Sequence, residues 1–136
     1  MTKIFTTGYT GKAVEQLPAL LDFYEAVLAD IRFAPTSRHL EWRKTYLALL
    51  LKNRYRHVPA LGNRLYKSDG VQIHNMELGI RLVESWNTNV ILLCACAELE
   101  KCHRRLVKDE FEKRGFETEE ITDWNVAQPS LFENSI

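Results

Sequence analysis

The sequence contains no apolar run long enough to span a membrane and no apolar segment of the signal-peptide kind near its first residue. It also has few cysteines, three among 136 residues. Three is an odd number, and Cys94 and Cys96 are one residue apart, too close for an ordinary bridge. We therefore predict reduced thiols and a cytosolic setting.

Neither sign of charge is in excess, because 18 basic residues balance 18 acidic residues. The strongly basic composition of a general nucleic-acid binder is thus missing. Between residues 32 and 64, however, many basic residues accompany a single acid, Glu41. This segment could form a cationic surface for an anionic ligand, and nucleic acid is the less favoured partner.

Short apolar segments alternate with amphipathic segments along the chain. Strands are predicted at residues 3–7, 26–33, 55–58, 90–93 and 117–122. A first helical pattern runs from Val14 to Tyr24, and Pro18 within it either starts the main helix near Leu17 or kinks it. Further helices are predicted at residues 41–53, 75–86 and 101–114. The alternation predicts a single α/β domain over residues 1–136, with residues 123–136 as an extended tail. It has three layers: a mainly parallel sheet of about five strands, its most apolar strand (90–93) central, with helices on both faces.

Helix ends and helix faces can also be predicted. Asn75 is a suitable N-cap, and Gly115 is a suitable C′ glycine. Apolar spacing predicts the following core-facing side chains: Trp42, Tyr46, Leu49 and Leu50 in the second helix; Met76, Ile80, Leu82 and Val83 in the third; Leu106, Val107 and Phe111 in the fourth.

Polar residues of unusual kinds fall where the predicted strands end. In a parallel sheet these carboxyl ends lie along one edge, and ligands bind outside them. We therefore predict a binding site at this edge. Its candidate residues are Gly8, Tyr9, Asp30, Arg32, Ser37, Arg38, His57, Gly62, Arg64, Cys94, Cys96, Cys102, His103, Arg104 and Trp124.

Five short motifs occur in a fixed order between about residues 7 and 121. They are Gly8-Tyr9-Thr10, Asp30-Ile31-Arg32, Pro35-Thr36-Ser37-Arg38, the Tyr-x-His-x-Pro-x-Leu-Gly of residues 55–62, and the Leu-Leu-Cys to Cys-His-Arg of residues 92–104. In these motifs the chain resembles the family called domain of unknown function 488. That family has Cys-Ala-Glu where this chain has Cys94-Ala95-Cys96-Ala97-Glu98, so either cysteine could correspond to the family's cysteine. The resemblance implies a fold and a pocket but no reaction.

Cys102, His103 and Arg104 are predicted at the start of a helix, where free N–H groups and the helix dipole favour a phosphate or carboxylate. Arg104 could add two parallel hydrogen bonds to the anion. The alternative is that Arg104 pairs with a local acid, Glu98 or Asp30.

Catalytic roles are less favoured. His57 suits acid–base chemistry because histidine is the side chain that most readily gives and takes a proton at neutral pH, and Asp30 could assist it or pair with Arg32. Cys102 is a weak candidate nucleophile, because His103 would point elsewhere on a helix. A zinc set of the three cysteines with His103 is disfavoured because there is no Cys-x-x-Cys pair and Cys94 and Cys96 end a core strand, so no metal site is predicted.

The combined expectation is a pocket for a phosphate-bearing small molecule, with a nucleotide or nucleotide derivative as the favoured class. Arg32, Arg38 and Arg104 would hold the anion, and Tyr9 and Trp124 would face a ring. No cofactor is expected. The alternatives are an enzyme, a hydrolase or transferase acting on a nucleotide or nucleic-acid base, and a nucleic-acid-binding protein.

Overall fold

The computed structural model of the protein describes residues 2–125, in which five strands form one sheet. The strands are β1 (Lys3–Gly8), β2 (Ala26–Asp30), β3 (Tyr55–His57), β4 (Asn89–Cys94) and β5 (Glu117–Glu120). Their order across the sheet is β3-β2-β4-β1-β5, and every neighbouring pair is parallel. The predicted α/β class and the central place of β4 are confirmed.

Four helices cover the two faces of the sheet. They are α1 (Leu17–Tyr24), α2 (Lys44–Leu51), α3 (Met76–Ser85) and α4 (Arg104–Lys113). The apolar residues of α1 and α2 form one core cluster with one face of the sheet, and those of α3 and α4 form a second cluster with the other face. The three-layer arrangement predicted from the sequence is therefore confirmed.

Strand β4 shows how the sheet joins the two clusters. Val90 and Leu92 belong to the cluster of α3 and α4, whereas Ile91 and Leu93 belong to the cluster of α1 and α2. Side chains alternate between the faces of a strand, so a strand with helices on both sides must be apolar throughout. This explains the unbroken apolar run of β4.

The order of the strands determines where a crevice opens. The chain leaves β1 and β2 toward the face covered by α1 and α2, and it leaves β4, which lies between them, toward the face covered by α4. Neighbouring connections that diverge in this way leave a gap at the carboxyl ends of the strands, the usual ligand position in open α/β sheets.

The predicted helix ends are confirmed. Helix α1 begins at Leu17 with Pro18 in its first turn, where a missing N–H costs nothing. The Asn75 side chain accepts a hydrogen bond from the Leu78 N–H at 3.1 Å and caps α3. Gly115, with φ of 90°, follows the C-cap of α4.

The predicted face of the second helix is wrong for Tyr46 and Leu49, whereas Leu50 is partly buried against the core. Tyr46 and Leu49 are 42% and 79% exposed, and the buried residues of α2 are Leu47 and Leu51. Trp42 is buried, but it lies in a separate 3-10 turn, Leu40–Trp42, and the extended backbone of Arg43 interrupts the helix. The interruption changes the helical phase, so a stripe counted from Trp42 points away from the core.

Some other predicted boundaries and faces also differ. The second strand ends at Asp30 and not at residue 33, and the fourth helix begins at Arg104 and not at residue 101. Leu82 and Leu106 are largely exposed and do not face the core. Each lies next to a predicted core residue that is fully buried, Val83 or Val107. Consecutive residues of a helix point about 100° apart, so only one of each pair faces the core.

The long loop after β3 has some structure of its own. Residues Pro59–Leu61 form a 3-10 turn, and Asn63 pairs with Ile73 in an antiparallel bridge. Of the predicted C-terminal tail, residues 126–136 lie outside the described residues. Within residues 2–125, no helix is long and apolar enough to cross a bilayer.

The N-cap of α3 can be tested directly. Replacing Asn75 with Ala removes the acceptor for the Leu78 N–H and should lower the free energy of unfolding by about 1 kcal/mol, measured by urea denaturation. The matched variant Asn75→Asp keeps a capping oxygen and should remain close to the wild type. Equal stability of all three proteins would contradict the cap.

Candidate functional site

A cavity of about 310 Å³ lies beyond the carboxyl ends of β1, β2 and β4. This is the edge at which the sequence predicts a binding site. The cavity is lined by Tyr9, Arg32, Phe33, Ala34, Thr36, Asn63, Tyr66, Val71, Cys94, Ala95, Cys96, Lys101 and His103.

A buried ion pair forms one wall of the cavity. The Asp30 carboxylate accepts hydrogen bonds from Arg32 Nε at 2.8 Å and Nη2 at 2.6 Å, and from the Tyr55 hydroxyl at 2.6 Å. Burial alone would lower the pKa of Arg32, but the hydrogen bonds and charge of Asp30 outweigh it and raise that pKa. Burial, and then the charge of Asp30, raise the pKa of Tyr55. Asp30 and Arg32 therefore form a buried salt bridge, the structural alternative considered from the sequence.

Tyr9 connects this pair to a stack of aromatic rings. Its hydroxyl accepts a hydrogen bond from Arg32 Nη1 at 3.2 Å, and its ring stacks on Trp42 at 4.3 Å between centroids. Trp42 in turn meets Trp124 edge-on at 6.0 Å. Trp124 is fully buried and donates its indole N–H to the Thr7 hydroxyl at 2.8 Å. Trp124 thus belongs to the core and does not face the cavity, contrary to expectation.

Two histidines contact the chain just after β2. The Nε2 atom of His103 lies 2.9 Å from the Ile31 carbonyl oxygen, and the Nε2 atom of His57 lies 2.9 Å from the Arg32 carbonyl oxygen. A carbonyl only accepts, so both Nε2 atoms carry the proton, and in the neutral ring Nδ1 keeps its lone pair. Burial, together with the charge of Arg104, lowers the pKa of His103 and so favours the neutral ring. His103 lines the cavity, whereas His57 does not.

Arg104 is completely buried and fully engaged inside the protein. Its guanidinium contacts both carboxylate oxygens of Glu120 at 3.2 and 2.7 Å and donates to the carbonyl oxygens of Cys96 at 2.8 Å and Ala97 at 3.4 Å. Its predicted role as an anion clamp is therefore not what the structure shows. Its partner is also neither Glu98 nor Asp30, because the end of β5 brings Glu120 to this point.

The guanidinium of Arg104 fixes the loop that follows β4. This loop passes so close to β1 that a Cβ atom on Gly8 would collide with the carbonyl oxygen of Cys96. Gly8 is thus required by chain packing. The same holds for buried Gly62, where a Cβ atom would lie 2.5 Å from the backbone nitrogen of Phe33. Packing against neighbouring backbone therefore accounts for both glycines.

The remaining predicted residues are distributed unevenly. Cys94 lines the cavity, whereas Cys102 is buried beside it and its Sγ atom contacts that of Cys94. Arg38 and Arg64 are exposed and do not line the cavity. Ser37 accepts a hydrogen bond from the His39 N–H in its own loop. The predicted cluster of arginines at the site is thus reduced to Arg32.

Several site residues were not identified from the sequence. Phe33 and Tyr66 supply aromatic surface, and Lys101 supplies a cation whose side chain is 77% exposed. Tyr66 lies in the loop after β3, where no periodicity indicates a position. Glu120 and Tyr55 could have been found, because both lie on predicted strands close to the edge of the sheet that carries the candidate site.

The fold and cavity together define a doubly wound, parallel α/β protein with a small mixed polar and aromatic pocket at the switch in strand connections. A scan against protein-family models, a search of curated proteins and a search of solved structures each found no match to the chain. The site is therefore interpreted from its own chemistry.

The structural role of Arg104 leads to a sharp prediction. Arg104→Met leaves the Glu120 carboxylate with the Thr6 hydroxyl as a donor but without its cation, and it leaves two carbonyl oxygens without their donor, so the free energy of unfolding should fall by about 3–5 kcal/mol in urea denaturation. Arg105→Met, which removes only exposed ion pairs to Glu100 and Asp109, should change it by less than about 1 kcal/mol.

Glu120→Gln provides a milder test of the same pair if Arg104→Met does not fold. It preserves the side-chain shape but removes the charge, and it should also destabilise the protein more than Arg105→Met does. Arg104→Met and Glu120→Gln proteins as stable as Arg105→Met would contradict this account.

Proposed function

We propose that the cavity binds a small anionic molecule that carries a planar ring, with a mononucleotide or a nucleotide derivative as the favoured class. The observation that carries the proposal is the combination in one cavity of two cations, Arg32 and Lys101, with three aromatic side chains, Tyr9, Phe33 and Tyr66. A phosphate would lie toward the cations and a base against the aromatic wall.

The size of the cavity limits the ligand. Ligand pockets commonly enclose roughly 300–1,000 Å³, so a cavity of about 310 Å³ is at the lower end of that range. This volume favours a mononucleotide over a dinucleotide cofactor.

The free donors of the cavity support an anionic ligand. Arg32 uses three N–H groups on Asp30 and Tyr9, which leaves two of its five for a ligand. Lys101 is 3.5 Å from Glu98, an exposed pair that contributes little and that a phosphate could replace. The anion-binding role therefore passes from Arg104, as expected from the sequence, to Arg32 and Lys101.

The alternatives have less support from the described residues. Acid–base catalysis would need Asp30 and His57 at the ligand, but Asp30 is buried behind Arg32 and Tyr55, and His57 lies outside the cavity lining. Cys102 is buried as well. No contact in residues 2–125 favours a nucleic-acid partner, and the balanced charge does not favour one.

Membership of the domain of unknown function 488 family stays a prediction that rests on the five motifs. A cytosolic setting stays a prediction that rests on the odd number of cysteines.

A thermal-shift experiment tests the proposal. AMP, GMP, CMP and UMP are compared with their nucleosides and with inorganic phosphate, at equal ionic strength. At a concentration 100 times its Kd, a mononucleotide should stabilise the protein by about 2.7 kcal/mol and raise the Tm. Nucleosides and phosphate should act much more weakly, because each fills only part of the cavity.

A matched pair of lysine variants completes the test. Lys101→Ala should weaken mononucleotide binding about tenfold or more, since a charge-assisted hydrogen bond contributes roughly 1.5–3 kcal/mol. Lys113→Ala removes the same charge at the distant end of α4 and should bind as the wild type does. The proposal fails if no mononucleotide raises the Tm, or if both variants bind equally well.

A further inference from the structure

The sulfur atoms of the three cysteines lie close together in the folded chain. The spacing of the cysteines in the sequence does not indicate this proximity. The Sγ atoms of Cys94, Cys96 and Cys102 all lie within 4.8 Å of one another. Cys94 and Cys102 are buried, whereas Cys96 is exposed. The cluster thus has two ligands held in the core and one facing solvent.

The fold explains this convergence. Cys94 is the last residue of β4, and Cys96 follows in the loop that the Arg104 guanidinium holds through the Cys96 carbonyl. A 3-10 turn, Leu99–Lys101, then reverses the chain, and the extended backbone of Cys102 returns its side chain to the end of β4. Helix α4 begins only after this return, at Arg104.

An ordinary disulfide does not account for the arrangement. The Cα atoms of Cys94 and Cys102 are 7.8 Å apart, whereas a disulfide joins Cα atoms roughly 4.4–6.8 Å apart. Their Sγ atoms nevertheless touch. Each thiolate of a tetrahedral zinc site lies about 2.3 Å from the ion and about 3.8 Å from the next thiolate, so the two sulfurs must move apart when an ion binds between them.

His103 supplies a nitrogen next to one of the thiols, that of Cys102, although it is not one of the three residues whose ligand atoms all lie within 4.8 Å of one another. Its Nδ1 atom lies 3.9 Å from the Sγ atom of Cys102, close to the separation of two ligands on one zinc ion. Its Nε2–H is held by the Ile31 carbonyl at 2.9 Å. A ligating histidine is usually oriented by such a hydrogen bond from its other nitrogen.

We propose that Cys94, Cys96, Cys102 and His103 form a site for a thiophilic divalent cation, with zinc as its metal. Three thiolates, with the Nδ1 of His103 as the nitrogen closest to Cys102 for the fourth position, make a tetrahedral set of the kind that zinc prefers. Each thiol loses its proton to solvent when the ion binds. The metal site does not require the proposed nucleotide binding, although Cys94, Cys96 and His103 also line that cavity.

The surroundings of the cluster suit a bound metal. Arg104 Nη1 lies 3.3 Å from the Sγ atom of Cys94 and can donate to a thiolate there. A zinc ion with three thiolates has a net charge of −1. The buried guanidinium of Arg104 lies beside it and offsets this charge. The exposure of Cys96 provides a route by which the ion can enter.

The experiment uses the full-length chain, reduced and freed of metal by a chelator. Titration with Co²⁺ should give the intense thiolate-to-cobalt charge-transfer absorption and the visible bands of a tetrahedral site, saturating at one ion per chain. Zn²⁺ should then displace Co²⁺ and protect all three thiols from a thiol-modifying reagent.

Variants assign the ligands. Cys96→Ser is the informative change, because Cys96 is exposed and its loss should not prevent folding; it should weaken Zn²⁺ binding by at least about 100-fold. His103→Gln should weaken binding and alter the cobalt spectrum, whereas His39→Gln, an exposed histidine outside the cluster, should do neither.

Three results would overturn the metal site. The first is reduced, folded protein that binds neither Co²⁺ nor Zn²⁺. The second is metal binding that Cys96→Ser and His103→Gln leave unchanged. The third is a Cys94–Cys102 disulfide in protein whose thiols were blocked as the cells were opened.

Discussion

The buried guanidinium of Arg104 holds together the edge of the sheet at which the candidate sites lie. It joins the start of α4 to Glu120 at the end of β5 and to the loop after β4. That loop presses on β1 at Gly8 and carries Cys96 toward the other cysteines. A charge without exposure to water must keep all its partners, because losing one leaves a buried ion uncompensated. This requirement makes the local geometry rigid.

A second buried charge pair organises the other side of the cavity. Asp30 at the end of β2 accepts hydrogen bonds from Arg32 and Tyr55, and Arg32 positions the hydroxyl of Tyr9. The arginines expected to bind an anion are thus divided by burial. Arg104 is buried with partners inside the protein, and Arg32 gives only some of its N–H groups to such partners. Arg38 and Arg64 do not line the cavity. The proposed ligand site therefore depends on two cations and on aromatic surface.

The fold could be predicted because its signals are local. The apolar run of β4, the Asn75 cap and the Gly115 terminus each reflect a preference of a few neighbouring residues. Helix faces were less predictable: the extended backbone at Arg43 changes the phase of α2, so Leu47 is buried where Tyr46 was expected. Trp124 follows a predicted strand and is therefore expected at the pocket, but its ring is buried in the core.

The sequence by itself determined the parallel α/β class and the edge of the sheet at which a site should lie, because periodicity and strand ends are properties of contiguous residues. Only the tertiary structure decided which polar side chains face the cavity and which are sealed by a partner such as Glu120. It also decided that Cys94, Cys96 and Cys102 meet, since an irregular turn and a buried arginine bring them together. Contacts of this kind depend on how the whole chain packs, and residue spacing does not reveal them.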